Sequence, residues 1–414
     1  MIQLRDYQKT IADQATSILK SSKFVYLALE VRTGKTLTSL QIASQCGVDS
    51  VLFVTKKKAI GSITDDYNKL SPPYRLGVTN YESLHKIIAS RFDIVILDEA
   101  HCFGAFPKPS KRAKDVRDLI DRNNCKVVFL SGTPSPESYS QMYHQMWVLG
   151  AHSPFSIHVN FYKWAKDFVN IKQRKIGGML INDYSRGNSD MISVALKPFT
   201  ISFTQQQAGF ESNVEEEIIW VGMPDVITKL SNELIRDKVI EGSTEVILAD
   251  TGAKMMQKLH QINSGTIIFE SKNSMILSKF KADVIKDRFA GKRIAIFYKF
   301  KAELDAIVSV FGDDVTTDLA TFQNGSCKNF AVQIVSGREG INLSAADHIV
   351  FYNIDFSATS YWQARDRMTT KGRAFNKIYW VFSVGGIEEK IYKVVNKKKN
   401  YTLSHFKKEY IVDK

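Results

Sequence analysis

The residues most able to do chemistry are Gly34-Lys35-Thr36 and, further along the chain, Asp98-Glu99. A flexible residue, a cation and a hydroxyl in direct succession suit a polyphosphate. In a loop that opens a helix, backbone N–H groups face the phosphate oxygens. Lys35 would reach the β- and γ-phosphates, and the Thr36 hydroxyl would hold Mg2+. Arg32 and Thr33 complete the loop ahead of them. The paired carboxylates suit the other half of the reaction. Asp98 would hold Mg2+ through water, and Glu99 would orient or deprotonate an attacking water. His101, two positions after Glu99, can hydrogen-bond across to the next motif, Ser131-Gly132-Thr133-Pro134, whose hydroxyls can relay hydrogen bonds. Alone, a Gly-Lys-Thr triplet occurs by chance on many turns, and an Asp-Glu pair is commonly a polar strand end. In this order, with strands between them, they point together to nucleotide hydrolysis. The first glycine of the usual phosphate loop is missing, because Leu29 stands there.

Those residues need a scaffold that delivers them to one edge. Phe24–Leu29 is an apolar run before the loop, and Leu37–Ala43 reads as a helix after it. Lys9–Lys20 reads as a helix as well, preceded by Gln8, whose amide both donates and accepts and so suits an adenine edge. Val51–Thr55 reads as a buried parallel strand ending in Lys56-Lys57-Lys58, where an α/β sheet meets its ligands. Val78–Leu84 is a strand end turning into a helix, with Thr79 and Asn80 as phosphate contacts or helix caps. Asp93–Leu97 and Val127–Leu130 are further buried strands. This alternation through residue 150 predicts a parallel doubly wound sheet.

From 151 to 274 the texture changes to aromatics, basic residues and turns, and this stretch is expected to be an accessory region. Gly177-Gly178, between Lys175 and Leu180, predicts a basic hairpin. Phe161-Tyr162-Lys163-Trp164 is either a base-stacking platform or plain core. A second alternating region spans 275–395, with strands at Arg293–Tyr298, Phe330–Val335 and His348–Asn353 and a helix at Lys301–Phe311. Residues 396–414 form a basic tail.

The 414 residues carry a formal charge of +13 and are 44% apolar, which excludes a disordered chain and favours a polyanionic partner such as nucleic acid. Four cysteines stand far apart with no CxxC pair, so neither a zinc site nor a disulfide framework is expected. The start of the sequence lacks the apolar segment of a signal peptide, and no apolar stretch is long enough to span a bilayer. A cytoplasmic setting follows as an expectation.

In this order the motifs Arg-Thr-Gly-Lys-Thr, Asp-Glu-Ala-His, Ser-Gly-Thr-Pro, Gly-Arg-Glu-Gly-Ile-Asn-Leu and Gln-Ala-Arg-Asp-Arg resemble those of superfamily 2 helicases and translocases. Within them the chain is similar to the Swi/Snf-like, DEAH-box type, in the compact form often encoded by phages. Leu4–Gln8 resembles the family's adenine-recognising segment. The resemblance implies two RecA-like parallel-sheet lobes in tandem, with ATP between them and DNA across both. The first lobe would bring Gln8, Lys35, Thr36, Asp98 and Glu99. The second would bring Gly340, Asn342, Gln363 and Arg367. It implies an ATP-dependent DNA helicase or translocase acting on forked, branched or duplex DNA, in a host cytoplasm if phage-encoded; the oligomeric state is not read from the sequence, and a monomer is favoured. No small-molecule substrate beyond ATP is implied. A duplex translocase that never separates strands is the alternative. Two positions depart from the pattern: Thr370 stands where the last motif has its second arginine, and Arg32 where Swi/Snf relatives have glycine.

Overall fold

The computed structural model describes the chain except residues 1–2, 31–32, 88–90, 177–178, 210–212, 338–342, 344, 358–360, 362–374 and 398–414. The chain divides into two units, Met1–Phe210 and Glu211–Lys414.

In the first unit, helix α1 (Asp6–Ser21) leads into strand β1 (Phe24–Leu29), then helix α2 (Lys35–Gln45) and strand β2 (Ser50–Thr55). Helix α3 (Ile60–Leu70), strands β3 (Arg75–Asn80) and β4 (Ile94–Leu97), helix α4 (Lys111–Asn123) and strand β5 (Lys126–Leu130) follow. Helices α5 (Met142–Trp147) and α6 (Phe161–Phe168), the hairpin β6 (Lys172–Ile176) and β7 (Met179–Asp183), helix α7 (Ser189–Leu196) and strand β8 (Thr200–Phe203) complete the unit. The main sheet has the order β3-β2-β4-β5-β1-β8, and every neighbouring pair is parallel.

Side chains alternate between the two faces of this sheet, as strand geometry requires. Phe24, Tyr26, Leu52, Val54, Val95, Leu97, Val127 and Phe129 pack on one face against residues of α4, α5 and α6. Val25, Leu27, Val51, Phe53, Ile94, Ile96 and Val128 pack on the other against α1, α2 and α3. Both faces are covered, so the strands read as continuous apolar runs, which is what made them visible in the sequence.

The second unit begins with strand β9 (Asn213–Val221) and helix α8 (Asp225–Asp237). Short strands β10 (Val239–Glu241) and β11 (Val246–Leu248), helix α9 (Gly252–Asn263), and strands β12 (Thr266–Ile268) and β13 (Ser274–Ile276) come next. Helix α10 (Phe280–Arg288), strand β14 (Ile294–Tyr298), helix α11 (Lys301–Phe311), strand β15 (Val315–Thr316), helix α12 (Leu319–Gln323), and strands β16 (Asn329–Gln333), β17 (His348–Phe351) and β18 (Phe375–Ser383) lead to the last described helix, Glu388–Val395. Its sheet, ordered β15-β16-β14-β17-β18-β9, is also parallel throughout. The expected pair of RecA-like parallel-sheet lobes in tandem is therefore present.

The region between them differs from the expectation. Residues 151–274 are not a separate accessory region. Thr200–Phe203 pairs with β1 as an edge strand of the first sheet, and Asn213–Val221 pairs along β18 from Phe375 to Ser383 as an edge strand of the second. Ile227, Leu234, Met255, Leu259 and Ile262, from α8 and α9, belong to the second unit's core. The division falls at 210/211 rather than at 150 and 274, because edge strands are supplied from the expected linker. Phe161 and Trp164 are core residues packed with Tyr143 and Phe155, while Tyr162 is exposed, so most of that aromatic run is packing. The expected hairpin strands pair antiparallel from Lys172↔Asp183 to Ile176↔Met179, while residues 177–178 lie outside the described residues. The strand expected over 330–335 stops at Gln333, where a short helix begins. The helix expected around 361–373 and the tail from 398 lie outside the described residues. Among the described residues no helix is long and apolar enough to cross a membrane.

Candidate active site

Strands β1, β5 and β4 lie side by side and run parallel, so their carboxyl ends share one edge. The candidate phosphate loop follows β1, Ser131 follows β5, and Asp98-Glu99 follows β4. Three segments distant in sequence thereby meet where parallel sheets bind ligands.

Gly34 stands directly before α2 with φ +80°, the left-handed region that a residue with a Cβ rarely adopts. A Cβ there would also lie 2.0 Å from Gln8 Nε2. That amide donates to Gly34 O at 3.3 Å, while Gln8 Oε1 accepts from Arg5 N at 2.8 Å. Gln8 is buried, and it ties α1 to the loop. Within the loop, Thr33 Oγ1 donates to Glu30 O at 2.7 Å. Lys35 Nζ donates to Leu29 O at 3.1 Å and to Glu30 O at 3.3 Å. The Thr36 carbonyl accepts from Ser39 Oγ at 2.9 Å.

Asp98 is held from three sides. Its N–H donates to Val54 O at 2.9 Å, Thr55 Oγ1 donates to its Oδ2 at 2.8 Å, and Glu99 N donates to its Oδ1 at 3.0 Å. Tyr81 OH donates to Asp98 O at 2.6 Å. Burial, and then the charge on Glu99, push the Asp98 carboxyl up to about 6, against the lowering pull of the Thr55 hydrogen bond and the Lys35 charge. That pull places Lys35 within electrostatic reach of Asp98. Glu99 has φ 51°, a left-handed conformation that costs about 1 kcal/mol or more for a side-chain-bearing residue and marks functional turns. The neighbouring carboxylates of Asp98 and Glu99 are hard-oxygen donors of the kind Mg2+ takes. The crowding that raises Asp98 is the condition that a divalent cation relieves.

His101 joins the second and third motifs. Its Nδ1 lies 3.0 Å from Ser131 Oγ and 3.3 Å from Glu99 Oε2. Ser131 Oγ in turn accepts from Thr133 N at 3.2 Å. Thr133 Oγ1 is buried with no hydrogen-bond partner among the described residues. Lys56, Lys57 and Lys58 follow β2 on the same sheet edge, and Thr79 and Asn80 end β3 there. A separate cavity of about 390 Å3, lined by Tyr26, Pro134, Tyr139, Ile192 and Lys197 among others, holds no residue of the phosphate loop.

The structure thus brings Gln8, Thr33, Gly34, Lys35, Thr36, Asp98 and Glu99 into one unit around one edge. Arg32, Gly340, Asn342, Gln363 and Arg367 lie outside the described residues. Sequence reasoning missed Thr55, Tyr81 and Glu30. Thr55 left a weak signal, a hydroxyl closing an otherwise apolar strand.

Among known families, residues 254–372 match the helicase conserved C-terminal domain. The chain is also similar to two solved structures from Sulfolobus solfataricus. One is a SWI2/SNF2 ATPase core in complex with dsDNA, 17% identical, matched over 98% of this chain and 92% of that one, with a TM-score of 0.44. The other is a SWI2/SNF2 ATPase core domain, 16% identical over 95% of this chain and 88% of that one, with a TM-score of 0.43.

Proposed function

We propose that this protein is an ATP-dependent DNA helicase or translocase that uses Mg2+. One observation carries the reading: the Gly34-Lys35-Thr36 loop and Asp98-Glu99 end parallel strands on the same edge of one sheet. The helicase C-terminal match over 254–372 supports the class, and the excess of basic residues supports a polyanionic partner.

In this reading the backbone around Gly34 and the Lys35 amine bind and orient the β- and γ-phosphates of ATP. Lys35 exchanges its two loop carbonyls for phosphate oxygens. Thr36 and Asp98 would hold Mg2+, which when bound neutralises phosphate charge. Glu99 holds the attacking water and accepts its proton, with His101 fixing the carboxylate. Gln8 recognises the base and Arg32 and Thr33 flank the phosphates. From the second unit, Gly340, Asn342 and Gln363 contact nucleotide, and Arg367 stabilises charge as the phosphoryl group leaves. Coupling hydrolysis to a change in the grip on the backbone moves the protein along DNA. The β6–β7 hairpin is the candidate wedge for strand separation, on forked or branched DNA in replication, recombination or branch migration.

ATP turnover and strand displacement, measured together on forked, blunt-duplex and single-stranded DNA, test this. Lys35→Ala is the control and should lower turnover by roughly 100-fold or more. Displacement that depends on Lys35 makes the protein a helicase. Duplex-stimulated turnover without displacement makes it a translocase and removes the wedge from the hairpin. Turnover that survives in Lys35→Ala sinks the whole assignment.

A further inference from the structure

One contact at the sheet edge lies outside the hydrolysis chemistry. Glu30 opens the phosphate loop, and its Oε2 accepts a hydrogen bond from Gln205 N at 2.8 Å. Its own N–H donates to Phe203 O at 3.0 Å. The segment it grips is a helical turn that follows β8. Ala208 N donates to Thr204 O at 3.2 Å and to Gln205 O at 3.0 Å, and Gly209 N donates to Gln206 O at 3.0 Å.

Such a turn leaves its first N–H groups without internal partners. Thr204 and Gln207 resolve two of them reciprocally. Gln207 N donates to Thr204 Oγ1 at 3.2 Å, and Thr204 N donates to Gln207 Oε1 at 2.8 Å. The N–H of Gln205 falls between them and is taken by Glu30, in a charge-assisted bond at the positive end of the turn. The other end of Glu30 is committed to the loop: its carbonyl accepts Thr33 Oγ1 and Lys35 Nζ. A second link runs alongside. Tyr7, next to Gln8, stacks on Phe203 with ring centroids 4.9 Å apart and planes 19° apart. Just beyond the turn, at Glu211, the second unit begins.

We propose that Glu30 is a positioning residue that clasps the phosphate loop to the 204–209 turn, so that nucleotide bound at the loop orders the segment leading into the second unit. The inference rests on the ATPase reading and adds a route out of the site. A nucleotide that orders the loop around Thr33 also orders the Glu30 carbonyl that accepts its hydroxyl, and ordering one side of a clasp lowers the entropic cost of ordering the other. The coupling is reciprocal, so loosening the turn weakens nucleotide binding by the same factor.

Amide hydrogen exchange on the full chain, with and without Mg2+ and adenylyl imidodiphosphate, tests it. In the unaltered protein nucleotide should slow exchange over 203–209 by about tenfold, the scale of one charge-assisted hydrogen bond. Glu30→Ala and Gln205→Pro should abolish that slowing while residues 35–45 remain protected. Gln205→Ala should retain it, because the donor is main-chain. Gln205→Pro should weaken nucleotide affinity by about the factor lost at the turn, a change that a merely structural role would not produce. If Glu30→Ala fails to fold, the two Gln205 variants carry the comparison. Protection at 35–45 with no change at 203–209 in the unaltered protein overturns the clasp, as does equal loss in Gln205→Ala and Gln205→Pro. If the unaltered protein binds no nucleotide, the ATPase reading falls and takes this inference with it.

Discussion

Thr55 stands behind Asp98 and gives its hydroxyl to Oδ2 at 2.8 Å. A carboxylate that holds a cation depends on such partners for its orientation, and removing one typically costs 10- to 100-fold in metal affinity. Thr55→Val keeps the shape and deletes the donor. Titrating Mg2+ against ATP turnover should then show the half-saturating concentration rising roughly tenfold, with the maximum largely restored at high Mg2+. An unchanged Mg2+ requirement would remove Asp98 from the cation site. Glu99→Gln separates binding from chemistry. The amide fills the same space and cannot accept a proton, so nucleotide affinity should persist while turnover falls by roughly 100-fold or more. Loss of binding instead would show that Glu99 holds nucleotide rather than water. Lys35, Asp98 and Glu99 were legible because their chemistry sits in consecutive residues after apolar strands. Thr55 was not, because its partner lies 43 positions away and only the β2–β4 pairing brings them together. Glu30 was hidden for the same reason, since it reaches a turn 175 positions on.

At the scale of elements, burial on both faces made most of the central strands visible, whereas the edge strand β9 was missed. β9 reads Asn-Val-Glu-Glu-Glu-Ile-Ile-Trp-Val, an acidic segment that resembles a solvated loop. The structure consumes those charges. Glu216 Oε2 accepts from Tyr361 OH at 2.8 Å, Tyr392 OH at 3.0 Å and Trp380 Nε1 at 3.1 Å, while Lys377 meets Glu217 at 2.8 Å. No local pattern announces partners that lie on β18 and the helices around it. A buried charge pair ties α10 to the last described helix. Lys281 and Glu388 are fully buried with Nζ and Oε1 2.6 Å apart, and Lys281 also donates to Val381 O at 3.1 Å and Tyr352 O at 3.3 Å. Deleting one partner strands the other charge in an apolar core, whereas deleting both removes the problem. Lys281→Met should therefore destabilise the second unit by about 3–5 kcal/mol, and Lys281→Met with Glu388→Leu should recover most of that loss. Urea unfolding followed through the exchange of the β14 amides reads both values. Equal destabilisation in the single and double variants would mean that the pair contributes packing rather than charge balance.

Over the whole molecule, Lys and Arg number 56 against 43 Asp and Glu. This imbalance has no role in phosphoryl transfer, which needs a few placed cations, but it suits a backbone of repeated phosphates. The sequence states the total, and the fold supplies one location. Lys56, Lys57 and Lys58 follow β2 at the ligand-binding edge of the first sheet, with Lys57 and Lys58 exposed. Each phosphate contact releases condensed counterions, so the logarithm of affinity should fall linearly with the logarithm of salt, by about 0.9 per duplex phosphate neutralised. Converting all three lysines to alanine should flatten that slope by up to about 2.7 and weaken binding alike on unrelated DNA sequences, because phosphate contacts carry no base information. Turnover without DNA should persist, since none of the three belongs to the phosphate loop or to the carboxylate pair. A triple variant with an unchanged salt slope would move the DNA path off this edge while leaving the ATPase site intact. A flat response already in the unaltered protein would remove the polyanion from the account of its charge.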